Sequence, residues 1–157
     1  MRHKKSITVE KKRHTVKNTV MTTLDKVILY VGRTVAGHTH DYTMLKNEFP
    51  PETNWFEFIQ VLVDLGYQGI VSDYCGEQID IPYKKPRRSK KNPNPELTET
   101  QKAENQALSK IRIFVENAIC GLKRYNILVH RFRNHKEAFD DDVMAIAARL
   151  WNFNLAY

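Results

Sequence analysis

Residues 11–22, KKRHTVKNTVMT, alternate loosely between polar and apolar, with His14, Val16, Asn18 and Val20 on one side. Residues 27–36, VILYVGRTVA, are β-branched and apolar. Alternation with a period of two predicts strands, and the short polar link TLDK predicts an antiparallel hairpin, although no Asn-Gly or Asp-Gly marks the turn. After Gly37 the segment HTHDYTMLKNEF predicts a short helix. Asp41 is its expected N-cap, Met44, Leu45 and Phe49 its core face, and Pro50-Pro51 its end. The run Ile59 to Val63 reads as a short buried strand with Asp64 directly after it, and QIDIPY at 78–83 as a second brief strand.

The period then changes. Thr98 followed by Gln101 is a capping-box signature, and Leu108, Ile111, Val115, Ile119 and Leu122 recur every three or four residues behind it, predicting one long helix. A last helix is expected to start within Asp140-Asp141-Asp142, acids that suit a helix N-terminus, and to carry Val143, Ile146, Ala147, Leu150 and Trp151 inward. Trp151 and Phe153 read as core, and Cys120 as a small buried residue. The order strand, strand, helix, strand, strand, long helix, helix predicts a mixed α/β layout in which helices cover a sheet.

Composition narrows the partner. The 157 residues suffice for one core, and 25 Lys plus Arg against 18 acids give a formal charge of +7, which favours a polyanion, nucleic acid before membrane. No apolar run approaches the roughly 20 residues of a membrane span, and the basic N-terminus has no signal-peptide core behind it. Cys75 and Cys120 are too few for a disulfide framework. The expected location is the cytoplasm, at the nucleoid, or the nucleus in a eukaryote. A basic loop at about 84–97 holds Lys84, Lys85, Arg87, Arg88, Lys90 and Lys91 among three prolines, and is a candidate contact to the DNA backbone. Arg131 and Arg133, with Phe132 between them, are candidates for the same role. His38 and His40 beside Asp41 read as structural rather than metal-binding.

Asp64 poses the chemical question. A carboxylate at the tip of a strand must be paired, hydrated or bound to a cation, because burying it alone is costly. One reading is a turn in which Asp64 bonds backbone N–H groups ahead of Gly66. The other brings it to Glu116. Arg112, Glu116 and Lys123 fall at i, i+4 and i+11, near one face of the long helix, where a solvated ion pair is the plain interpretation. Asp64 and Glu116 brought close would repel unless a cation neutralised them. Mg²⁺ suits such a pair because it takes hard oxygen ligands and few of them from protein.

The stretches KKRHTVKN (11–18), GHTHD (37–41), VDLGYQGI (63–70), KKPRR (84–88), LTETQKAENQALSKIRIFVENAICGLKRYNIL (97–128) and HRFRN (130–134) resemble the C-terminal part of insertion-sequence and Harbinger-type DDE transposases. The resemblance implies an RNase H-like fold in which two aspartates and a glutamate bind Mg²⁺ or Mn²⁺, cut DNA at transposon ends and join it to a target strand. It assigns the second aspartate to Asp64 and the glutamate to Glu116, as catalytic and metal-binding residues. Arg112 and Lys123 become auxiliary phosphate or carboxylate partners, and Asp41, in the His-Asp element, a helix cap first and an auxiliary residue second.

The family's first aspartate lies on a strand ahead of KKRHT, and MRHKKSITVE contains none. The expectation is therefore an RNase H-like mixed sheet with flanking helices lacking its first strand, residues 1–157 forming one partial catalytic domain. Its source would be a truncated frame, or the second of two overlapping frames whose upstream half, or a full-length transposase, is the protein partner. Such a chain is expected to be inactive and poorly soluble alone, with an uncovered strand edge. The alternatives are a domesticated nuclease of the same fold and a catalytically dead DNA-binding remnant that regulates a full-length transposase.

Overall fold

In the computed structural model, residues 15–90, 93–130, 134 and 136–156 are described. The hairpin forms, but in two steps. Strand β2 (Val20–Thr22) pairs antiparallel with β3 (Ile28–Val31), Val20 facing Val31 and Met21 facing Tyr30. Beyond it, β1 (Val16–Lys17) pairs antiparallel with β4 (Val35–Ala36). Asn18 spans the break, its Nδ2 donating to Gly32 O at 3.0 Å and Thr34 Oγ1 at 2.8 Å. The turn closes without Asn-Gly because Lys26 itself adopts φ 67°, letting its N–H reach Thr23 O at 3.1 Å. His14 lies outside the described residues.

Helix α1 (Asp41–Glu48) forms as predicted, with Met44 and Leu45 buried. Its cap differs: His40, not Asp41, is the N-cap, with Nδ1 accepting from Tyr42 N at 3.3 Å. Asp41 is instead the first helical residue, where negative charge suits the dipole and the carboxylate is free to point elsewhere. Strand β5 (Phe56–Leu62) pairs parallel with β6 (Gly76–Asp80), Val61 facing Ile79 and Leu62 facing Asp80. Parallel neighbours need a crossover of about a dozen residues. This one holds a 3₁₀ turn, Leu65–Tyr67, and the four-residue helix α2 (Ile70–Asp73), too short to show a period in the sequence. Gly69, at φ 101°, makes the left-handed step into α2. The expectation of a buried strand over Ile59–Val63 needs correction. The strand starts earlier, at buried Phe56, and its middle faces solvent, with Phe58 84% exposed.

Helix α3 (Glu99–Lys123) has the predicted capping box, Thr98 Oγ1 accepting from Gln101 N and Gln101 Oε1 from Thr98 N. The expected stripe is half-buried until Leu122, where Ala118 and Gly121 are also buried. Helix α4 (Phe139–Ala156) begins one residue ahead of the acids, but presents a different face. Val143, Ala147 and Ala148 are buried, whereas Ile146 and Leu150 are exposed. Small residues allow the close approach: the Trp151 ring occupies the space a side chain at Gly121 would need. The orientation is fixed by polar bonds. Asn152 Oδ1 accepts from Ile28 N at 2.8 Å while its Nδ2 donates to Ile28 O at 2.9 Å, and Trp151 Nε1 donates to Lys26 O at 2.8 Å. The side chain of Asn152 thus takes the place of a neighbouring strand at β3. Phe153 and Cys120, expected inside, are both exposed.

Two cores result. One gathers Ile28, Ala118, Leu122, Ala147 and Ala148, between the hairpin and the ends of α3 and α4. The other gathers Leu45, Phe56, Ile70 and Tyr74, under α1, β5 and α2. The architecture is mixed α/β. The described strands form three two-stranded sheets, so the single mixed sheet expected from the resemblance is not formed among the described residues. No described helix is long and apolar enough to cross a membrane.

Candidate active site

Asp64 follows the C-terminal end of β5, and its backbone (φ −84°, ψ 169°) is extended as it enters the 3₁₀ turn. Its Oδ1 accepts from Leu65 N at 2.7 Å, which orients the carboxylate by the turn itself. The same oxygen accepts from Arg112 Nη1 at 3.0 Å, across 48 residues of sequence. Arg112 Nε donates to Glu116 Oε1, also at 3.0 Å and one helical turn on. Asp64 is therefore a turn residue, as the first reading has it, and is also tied through Arg112 to the helix that carries Glu116. One guanidinium lies between the two carboxylates, and α3, packed on the first core, meets the β5 end of the second.

These three side chains are 49–54% exposed. Ion pairs so open to water contribute about 0–1 kcal/mol each, too little to explain the arrangement as a stabilising device. Two negative charges on one positive leave an excess of negative charge facing solvent.

Around this trio the structure adds neighbours. Asp41 Oδ1 pairs with Lys17 Nζ at 2.9 Å, and Lys17 also donates to Thr39 O at 3.3 Å. A Cβ at Gly66 would lie 2.9 Å from Asp41 Oδ2, so α1 abuts the turn that carries Asp64. Tyr67, half-buried against the second core, has its phenol pKa raised, first by burial and then by the charges of Asp41, Glu48 and Asp64. Glu48 was not singled out from the sequence, and its Oε2 is buried without a hydrogen-bond partner. Its signal was present: it stands seven residues after Asp41, on the same helical face.

Lys123, exposed in the last turn of α3, is not drawn into the Asp64–Arg112–Glu116 contact. The basic loop is exposed at Lys84, Lys85, Arg87, Arg88 and Lys90. Arg88 is partly committed to the loop's own shape, with Nε donating to Pro93 O at 2.5 Å and Nη2 to Asn94 Oδ1 at 3.0 Å. The loop's start is fastened to α3: Tyr83 N donates to Asn105 Oδ1 at 2.8 Å and Asn105 Nδ2 donates to Tyr83 O at 3.0 Å. Asn105 precedes Arg112 by two turns on one face, about 10 Å along the axis, so the basic loop emerges near the acids. Lys91, Arg131 and Arg133 lie outside the described residues.

As metal ligands, Asp64 and Glu116 offer hard oxygens that already converge on one cation, a donor set that fits Mg²⁺ or Mn²⁺ in kind. It is short in number, since no cluster of three or more His, Cys, Asp or Glu suited to a metal occurs among the described residues. His40 spends Nδ1 on its cap.

A family model described as "DDE superfamily endonuclease" matches residues 2–152. The chain belongs to this family. It is also 32% identical over 120 residues to a protein of Microchaete diplosiphon named "Probable transposase for insertion sequence element IS702". That match takes in 76% of this chain and 39% of the relative, so the chain spans well under half the length of the curated relative it matches. No solved structure matches it.

Proposed function

We propose that this DDE endonuclease chain contributes Asp64 and Glu116, two of three carboxylates, to a metal-dependent site that cuts and joins DNA, within an RNase H-like catalytic domain. The supporting observation is the placement of both acids on one guanidinium from elements far apart in sequence. Asp64 and Glu116 would hold Mg²⁺ or Mn²⁺, which supplies Lewis-acid charge at the scissile phosphate and activates the attacking oxygen. The Leu65 amide keeps the Asp64 carboxylate oriented. Exposed Lys84, Lys85, Arg87 and Lys90 neutralise backbone phosphates beside the site without reading sequence. Arg112 and Lys123 are phosphate partners on the same helix, and Asp41 buttresses the turn at Gly66. The partners are transposon ends and target DNA, met at the nucleoid or in a nucleus. The third carboxylate would come from an upstream polypeptide segment, as the resemblance implies, or from a full-length transposase.

A second reading, a DNA-binding remnant that regulates a full-length transposase, is favoured by the lack of a third acid at the site among the described residues. The test is cleavage and joining of labelled element ends in Mg²⁺ or Mn²⁺, by the chain with that upstream polypeptide. The expected result is activity in wild type and its loss in Asp64→Asn and Glu116→Gln. Full activity in either variant removes that residue from the site. Metal-independent DNA binding with no cleavage by any combination selects the remnant.

A further inference from the structure

We infer that Arg112 is a built-in counter-cation, holding Asp64 and Glu116 together until a divalent ion displaces it. The inference rests on the two-acid reading above and adds how that site is kept ready. Alone, the two carboxylates would repel and spread apart, since both side chains are half-exposed and have water to turn to. Arg112 prevents this from a planar group whose neighbouring nitrogens each hold one acid at 3.0 Å. The guanidinium also occupies the oxygens through which the two acids converge, Asp64 Oδ1 and Glu116 Oε1. Asp64 Oδ1 already accepts from Leu65 N and Arg112 Nη1, so its two lone pairs are both used. The amide is fixed in the turn, and the guanidinium is the donor that can leave.

The neighbouring pair is tied at a second point. Lys17 holds Asp41 and also the backbone oxygen of Thr39, and so is anchored apart from the acid. Among the described residues Arg112 bonds only the two acids, and its long stem lets the head swing into solvent. An exposed ion pair is weak enough to exchange, whereas a buried one would lock the site. Metal binding and departure of Arg112 are then a single competition for the same two carboxylates.

The experiment titrates Mn²⁺ into the full chain, following free Mn²⁺ by electron paramagnetic resonance, in wild type, Arg112→Gln, Arg112→Lys and Asp64→Asn. Circular dichroism checks that each is folded. Removing two exposed ion pairs should tighten Mn²⁺ binding by about three- to tenfold in Arg112→Gln. Arg112→Lys, which keeps the charge but loses the fork, should fall between it and wild type. Unchanged or weaker binding in Arg112→Gln, with Asp64→Asn binding poorly, overturns the exchange and leaves the two-acid site standing. Equal binding by wild type and Asp64→Asn overturns the two-acid site, and the exchange with it.

Discussion

Asp64 and Asp73 stand at the two ends of the same crossover between β5 and β6, yet they are held in opposite ways. Asp73 Oδ2 accepts from Tyr42 Oη at 2.6 Å and pairs with Lys46 Nζ at 2.5 Å, and Ser72 Oγ donates to Oδ1 at 3.4 Å. Lys46 also lies 4.6 Å from the centre of the Tyr42 ring. One negative charge meets one positive charge and two hydroxyls, all from α1 and α2, and the result is a clasp between those helices. Lys46 first and Tyr42 second hold the Asp73 carboxyl below its ordinary pKa. Asp64 has one turn amide and a guanidinium that it shares with a second acid. The clasp is satisfied within itself, whereas the other site leaves negative charge uncompensated and open to solvent. That imbalance, rather than the presence of an aspartate, separates a candidate chemical site from a structural one.

Exchanging each aspartate for asparagine separates the two roles most widely. Asp64→Asn should weaken divalent-ion binding by about a hundredfold or more, since even outer-shell changes cost 10- to 100-fold. Its stability to urea should stay within about 0.5 kcal/mol of wild type. Asp73→Asn should do the reverse, lowering the urea midpoint with metal binding intact. Metal binding lost equally in both would erase the distinction.

A smaller effect is expected from Tyr42→Phe, which leaves Asp73 with Lys46 but without the phenol. A hydrogen bond to an exposed charged group predicts a small drop in the urea midpoint, less than that of Asp73→Asn. Unaltered stability would mean that the clasp is held by Lys46 alone.

The pH profile sharpens the comparison further. Asp73 has a depressed folded pKa, so its contribution is complete above the unfolded value near 3.9 and is lost as pH falls through the folded value. Tyr42 has a raised folded pKa, from burial first and then Asp73, so its contribution is complete below about 10 and is lost as pH rises beyond. Melting temperature should plateau between these limits. Asp73→Asn should remove the acid arm and keep the part of the alkaline arm due to burial. An acid arm identical to wild type would show that other carboxylates set it.

The smallest change expected is in Gly66→Ala. Its Cβ would meet only the end of the Asp41 side chain, which can move, so stability should shift by less than about 0.5 kcal/mol. A large loss would show that the turn carrying Asp64 depends on Asp41 more than the ion pairs suggest.

Local features were read from the chain to the degree that their causes are local. The capping box at Thr98 and Gln101, the α3 stripe and the acids opening α4 depend on residues three or four apart, and each appears where expected. The cap of α1 was misplaced by one residue because His40 and Asp41 are both competent and adjacent. The exposed middle of β5 and helix α2 were not legible, since an apolar run does not state which neighbours will cover it.

By itself the sequence determined the existence and order of the main elements and the positive balance, while the family resemblance pointed to Asp64 and Glu116 together. Only the tertiary structure decided that α4 turns Ala147 and Ala148 inward while Ile146 and Leu150 face water, and that Arg112 stands between the two acids. The reason is physical. Periodicity and caps are written in bonds between near neighbours, but the facing of a helix and the partner of a charge depend on contacts between segments that meet only when the chain folds.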